Sequence, residues 1–151
     1  MIIGIPTFNL AGGGLHHLIQ ILQSANPKKD GFTKIIIWGN LNTLSQIKNE
    51  DWIVKKNIYL LECNFIVKYL WQKFLLKHDC IKSKVNILFI PGQIYTGTFK
   101  PYVCISQNAL PFEKLEYNMY RYDLFFFKLQ LIRFLQLKTF KNSTGIIFIS
   151  N

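Results

Sequence analysis

"TKIIIW", Thr33–Trp38, runs apolar from Ile35 onward with no polar residue interposed. A strand with one wet face alternates apolar and polar side chains. An unbroken run fits a strand covered on both faces, as in the parallel sheet of an α/β protein. Working outward, "VNILFI" (Val85–Ile90) and "YVCIS" (Tyr102–Ser106) read as further buried strands, and Ile2–Ile5, short and β-branched, "NIYLLE" (Asn57–Glu62) and "GIIFIS" (Gly145–Ser150) as the other strands. The stretches between them carry helical spacing. Leu15–Ser24 has Leu15, Leu18, Ile19 and Leu22; Asn40–Ile47 is a short helix. Phe65–His78 places Val67, Leu70, Trp71, Phe74 and Leu75 on one side, with Lys68, Gln72, Lys73 and Lys77 mostly on the other. Glu113–Asn142 is mostly helical, with a break around Tyr120–Asp123. "ANPKKDGF" reads as a chain break at Pro27 and Gly31. Strands alternating with helices predict a doubly wound α/β fold with a mostly parallel sheet, as one domain over 1–151.

Bulk properties narrow the partners. Half of the 151 residues are hydrophobic, which excludes a disordered chain. Lys and Arg outnumber Asp and Glu by 18 to 8, a formal charge of +10. That excess suits nucleic acid, an anionic lipid surface or a phosphorylated small molecule, although a biased genome gives a similar composition. Cys63, Cys80 and Cys104 are widely spaced, which fits buried free thiols in a reducing compartment. The N-terminus lacks a basic secretory leader, and no apolar run approaches a bilayer span. A cytoplasmic protein is expected, soluble or peripheral on the inner face of the membrane.

Next to the first strand lies "NLAGGGLHHL", Asn9–Leu18. The sequence places Gly12, Gly13 and Gly14 in the first strand-to-helix turn, where ligands dock at the carboxyl ends of strands. Glycine lets a phosphate approach the backbone N–H groups of a helix start; a tight turn with close helix–strand packing is the simpler alternative. Familiar phosphate motifs do not fit. Gly12-x-Gly14 is followed by His17, where a dinucleotide fingerprint has Gly or Ala, and "WGN" after the second strand offers no acid for a ribose. There is no Gly-Lys-Ser/Thr, no G-x-S-x-G, and no acid well placed for a methyltransferase. His16 and His17 diverge on a helix and His78 is the only other histidine, so no metal site is expected.

"SQNALPFEKLEYNMYRY", Ser106–Tyr122, follows the strand "YVCIS". Gln107 and Asn108 fall at the same ligand edge, with amides suited to sugar hydroxyls or to capping the next helix. Glu113 and Glu116 follow Pro111 in the first turns of that helix, where the dipole favours acids whatever the function.

"AGGGLHHL", "KIIIWGN", "WQ" (Trp71–Gln72), "ILFIPG", "SQNALPFEKLEYNMYRY" and "GIIFIS" occur in this order over nearly the whole chain. In them the chain resembles the N-terminal domain of family 4 (group 1) glycosyltransferases of the GT-B fold. "PGQ", Pro91–Gln93, departs from the pattern where relatives often carry a second glycine. The resemblance implies a Rossmann-like three-layer sandwich forming the acceptor-side half of an interdomain cleft. It implies retaining sugar transfer from a nucleotide sugar to a glycan or lipid-linked acceptor, with no metal or other cofactor. Gly12, Gly13 and Gly14 would make room for the donor diphosphate; Gln107 and Asn108 would meet acceptor or sugar hydroxyls, with His16, Glu113 and Arg121 as further cleft candidates. No catalytic base follows from these residues. Relatives continue into a donor-binding domain, so on this reading the chain is a truncated or split enzyme, inactive alone and dependent on a separate donor domain.

Arg121–Ser143 has polar residues all round the helix, which fits a helix packed in the domain with snorkelling lysines. A basic aromatic surface against anionic lipid is the competing reading. The alternative to an enzyme is a non-catalytic basic binding or scaffold domain. Nucleic acid is not an expected partner, for the chain has no RNP-like motif, Arg-rich tract or zinc framework.

Overall fold

The apolar run forms a strand one place from the centre of a six-stranded sheet. The strands are β1 (Ile2–Pro6), β2 (Lys34–Gly39), β3 (Ile53–Asn57), β4 (Ile87–Ile90), β5 (Tyr102–Ser106) and β6 (Gly145–Phe148), in the order β3-β2-β1-β4-β5-β6. Every neighbouring pair is parallel. The computed structural model describes residues 1–8, 10–92, 94–106 and 124–148, and side chains throughout these except at 124–129. The chain winds outward from β1 to β3, returns to the other side of β1 at β4, and winds outward again. This is the Rossmann strand order, with its reversal between β1 and β4.

Alternation along β2 sorts two cores. Ile35 and Ile37 pack with Leu15, Leu18 and Leu22 of α1 (Gly12–Ser24) and with Leu44 of α3 (Leu41–Ser45). Ile36 and Trp38 face the opposite layer, with Trp71, Leu76 and Cys80. That layer contains α4 (Phe65–Leu70), a π turn (Trp71–Leu75), α5 (Leu76–Lys82) and α6 (Leu124–Asn142), whose Phe140 packs against it. Helices therefore cover both faces of the sheet, making the three layers expected.

Three sequence expectations need correction. "ANPKKDGF" contains a one-turn helix, α2 (Pro27–Asp30), which Asn26 caps through Lys28 N and Lys29 N and which Gly31 ends at φ 72°. The third strand is Ile53–Asn57; "YLL", Tyr59–Leu61, is a 3₁₀ turn. Two lysines disguised the strand. Lys55 Nζ donates to Ile47 O and to Asn49 Oδ1 (2.6 Å), and Lys56 Nζ donates to Ser83 Oγ (2.7 Å). Edge strands commonly carry lysine, which discourages pairing with another chain. Third, the expected apolar face of Phe65–His78 is displaced. Trp71 is buried, but Leu70, Phe74 and Leu75 are exposed, while Gln72 is wholly buried. The π turn adds a residue and rotates the faces that follow.

Gly4, at the middle of β1, sits under two large side chains. A Cβ there would lie 2.7 Å from Leu88 Cδ2 and 2.8 Å from Trp38 Cζ3. Both neighbours are fully buried and have nowhere to go. Gly4→Ala is expected to lower unfolding free energy by about 1–3 kcal/mol, as overpacking does, measured by urea denaturation.

Cys80 and Cys104 are buried and Cys63 is half-buried, all three as free thiols. Burial, with a smaller contribution from the Asp79 charge, pushes Cys80 up to about 12 from 9.0. Burial also raises Cys104. An aromatic disulfide reagent should label Cys63 first in the native protein and reach Cys80 and Cys104 only on unfolding. The unfolded chain releases the Cys80 proton near pH 9, the folded chain near 12. Stability is thus unaffected by this group below about 9 and falls as pH rises toward 12, which alkaline melting curves will register.

Candidate functional site: a glycine-headed cleft

The carboxyl ends of β1 and β2 open into a cleft of about 540 Å³. Thr7, immediately after β1, forms part of its wall. Its N–H and Oγ1 both donate to Trp38 O, at 2.9 and 3.0 Å, which ties the ends of β1 and β2 together. Gly39 permits this closeness, for a Cβ there would lie 2.7 Å from Thr7 Oγ1. Asn40, Asn42 and Gln46 supply further polar groups from α3 and the residues that cap it, and Lys68 supplies a cation from α4. The Asn40 side chain is already engaged as the α3 cap, accepting from Thr43 N at 2.8 Å.

Gly12, Gly13 and Gly14 form the first turn of α1 itself; the sequence had placed them in the loop before it. Gly12 has φ +53°, a conformation that L side chains rarely adopt. A Cβ on Gly12 or Gly13 would meet nothing within 4 Å, so helix–strand packing does not require glycine at either position. The close packing at this edge belongs to Gly92, where a Cβ would lie 3.1 Å from Phe8 O across the β1–β4 boundary.

The helix start is also electrostatically open. Asn26, Asn40 and Asn64 cap α2, α3 and α4 with their side chains, whereas Ala11 caps α1 with none, and no acid occupies the first turn of α1. Among the described residues no side chain caps the leading N–H groups of this thirteen-residue helix, which can bond water or an anion. Gly12 and His16 line the cleft; Gly13 is exposed in the turn beside it and Gly14 is half-buried there. The Gln20 amide nitrogen lies 3.1 Å from His16 Nε2, within hydrogen-bond distance one helical turn on. His17 lies outside the cleft, lining a shallow depression with Gln20 and Ser24.

Of the remaining site residues expected from sequence, Gln107, Asn108, Glu113 and Arg121 lie outside the described residues. Sequence reasoning did not find Thr7, Asn42 or Lys68. Lys68 looked like one solvated lysine among several; misplacing β3 by four residues hid the direction from which α4 starts. No group of His, Cys, Asp and Glu that could hold a metal occurs among the described residues. Nor is any described helix long and apolar enough to cross a membrane. Comparison of the chain with protein-family models, with curated proteins and with solved structures finds no match.

Proposed function

We propose that the chain is the acceptor-side domain of a retaining GT-B glycosyltransferase, taking part in sugar transfer from a nucleotide sugar to a glycan or lipid-linked acceptor. One observation carries the reading: an uncapped, glycine-built helix start borders a polar cleft at the carboxyl edge of a parallel sheet. A diphosphate accepts hydrogen bonds from such N–H groups and gains from the positive end of the helix dipole. Thr7 and the amides of Asn42 and Gln46 suit hydroxyl groups, and Lys68 brings a positive charge to the same cleft. The order of sequence segments that resembles family 4 supplies the reaction class. On this reading the protein is cytoplasmic or peripheral to the inner face of the membrane, and its donor is a substrate needing no bound cofactor.

The chemistry would be positional. Holding donor and acceptor in line can supply about 7–11 kcal/mol of barrier lowering, and this domain would provide one wall of the cleft. Residues 1–151 alone are therefore expected to show no transfer from nucleotide sugars in a radiolabel assay, and transfer should appear when a matching donor-binding domain is added or fused. Gly13→Val is the sharper test in that assembled enzyme. Gly13 has open space beside it and no strained φ, so the fold should tolerate the change while the branched side chain occupies the phosphate approach. Loss of donor use by about tenfold or more, equivalent to about 1.4 kcal/mol, is expected. Robust transfer by residues 1–151 alone, or an assembled enzyme indifferent to Gly13→Val, would overturn the reading.

A further inference from the structure

The opposite, amino edge of the sheet carries a second concavity, of about 360 Å³, beside the starts of β5 and β6. Three lysines line it from three separate elements: Lys73 from the π turn, Lys100 from the loop before β5, and Lys138 from α6. Among the described residues none of the three is ion-paired and no carboxylate lines the pocket. Lys73 lies over the rings of Tyr69 and Phe74, 5.6 and 5.3 Å from their centroids.

The wall between these lysines is built rigidly. Gln72, fully buried, accepts through Oε1 from both Thr96 N (2.9 Å) and Thr96 Oγ1 (2.7 Å). Tyr95 N donates to the buried Thr139 Oγ1 at 2.9 Å, and Tyr95 OH bridges Phe99 N and Phe99 O at 3.0 and 3.2 Å. Gly97 folds over the Tyr95 ring so closely that a Cβ would lie 2.6 Å from it. Buried groups from two helices thus fix a Thr-Gly-Thr loop in one shape, with Thr96, Gly97 and Thr98 lining the pocket. Three ammonium groups around one concavity repel one another, and no acid among the described residues that line it offsets this. A multiply charged anion with several acceptor oxygens would relieve the repulsion and could take hydrogen bonds from the threonine hydroxyls.

We infer that this pocket is a binding site for a phosphate-bearing ligand, separate from the glycine-headed cleft and independent of the glycosyltransferase reading. The phosphate could belong to a soluble phosphorylated molecule or to a lipid headgroup; the binding chemistry is the same.

Two probes separate the sources: inorganic pyrophosphate, followed by calorimetric titration, and phosphatidylcholine vesicles with or without phosphatidic acid, followed by co-sedimentation. Each is run on the wild type, on the Lys73→Gln/Lys100→Gln/Lys138→Gln triple variant, and on Gly13→Val. The exposed lysines can be replaced without disturbing the core, and circular dichroism confirms the fold of each variant. Binding of either probe by the wild type should weaken about tenfold or more in the triple variant, diminish with added salt, and persist in Gly13→Val. Pyrophosphate binding with this pattern identifies a soluble ligand; binding confined to phosphatidic acid vesicles identifies a headgroup. Failure of the wild type to bind both probes, equal binding by the triple variant, or loss in Gly13→Val alone would overturn the assignment. The last result would place the anion at the α1 start instead.

Discussion

Parallel pairing of β1 with both β2 and β4 is the constraint on which the rest depends, and Gly4 is where it is tightest. Trp38 from β2 and Leu88 from β4 close over the middle of β1, each within 2.8 Å of where a Cβ would stand. With that space left empty, the indole lies fully buried among Trp71, Leu76 and Cys80. The second helical layer is thereby held against the centre of the sheet. The winding reverses where the chain returns to the free side of β1 at β4, and the loops after β1 and β4 come together where a Cβ on Gly92 would lie 3.1 Å from Phe8 O. The cleft next to Thr7 follows from this geometry.

Much of the fold was legible because its signal is redundant. Five of the six strands are apolar runs, and five such runs separated by helical spacing leave few alternatives to a parallel sheet. β3 was illegible because its inner positions are filled by Lys55 and Lys56, whose ammonium groups find Ile47 O, Asn49 and Ser83 beyond the strand. A pattern based on residue type scores such snorkelling side chains as exposed, although the strand they occupy is half-buried. The helix after β3 failed for a different reason. Periodicity assumes a uniform 3.6 residues per turn, and the π turn at Trp71–Leu75 violates it within the window being read.

That irregularity also explains the buried Gln72. A glutamine with no exposed surface is costly unless its amide is bonded; its oxygen accepts twice from Thr96, while Nε2 finds no partner among the described residues. The π turn directs the amide inward against the loop at Thr96. The adjacent Lys73 remains exposed and lines the pocket at the amino edge. One local distortion therefore connects a helix to a loop 24 residues away and sets one wall of that pocket.

At the carboxyl edge the sequence marked a candidate site by breaking rules of stability. Gly13 and Gly14 in a first helical turn cost up to about 0.5–1 kcal/mol each relative to alanine, and an absent N-cap costs about 1 kcal/mol. Against a typical total stability of about 5–15 kcal/mol this is a substantial local loss. At Gly13 no packing among the described residues offsets this: a Cβ there would touch nothing, and the same chain caps three other helices with asparagine. What sequence could not supply was the company these glycines keep. Thr7, Asn42 and Lys68 come from a strand end and two helices far apart in the chain, and each alone is an ordinary surface-type residue. Their convergence beside the uncapped turn depends on the register of β1 against β2 and on the true position of β3. A local cost in stability was readable from sequence, whereas the cleft beside it required the fold.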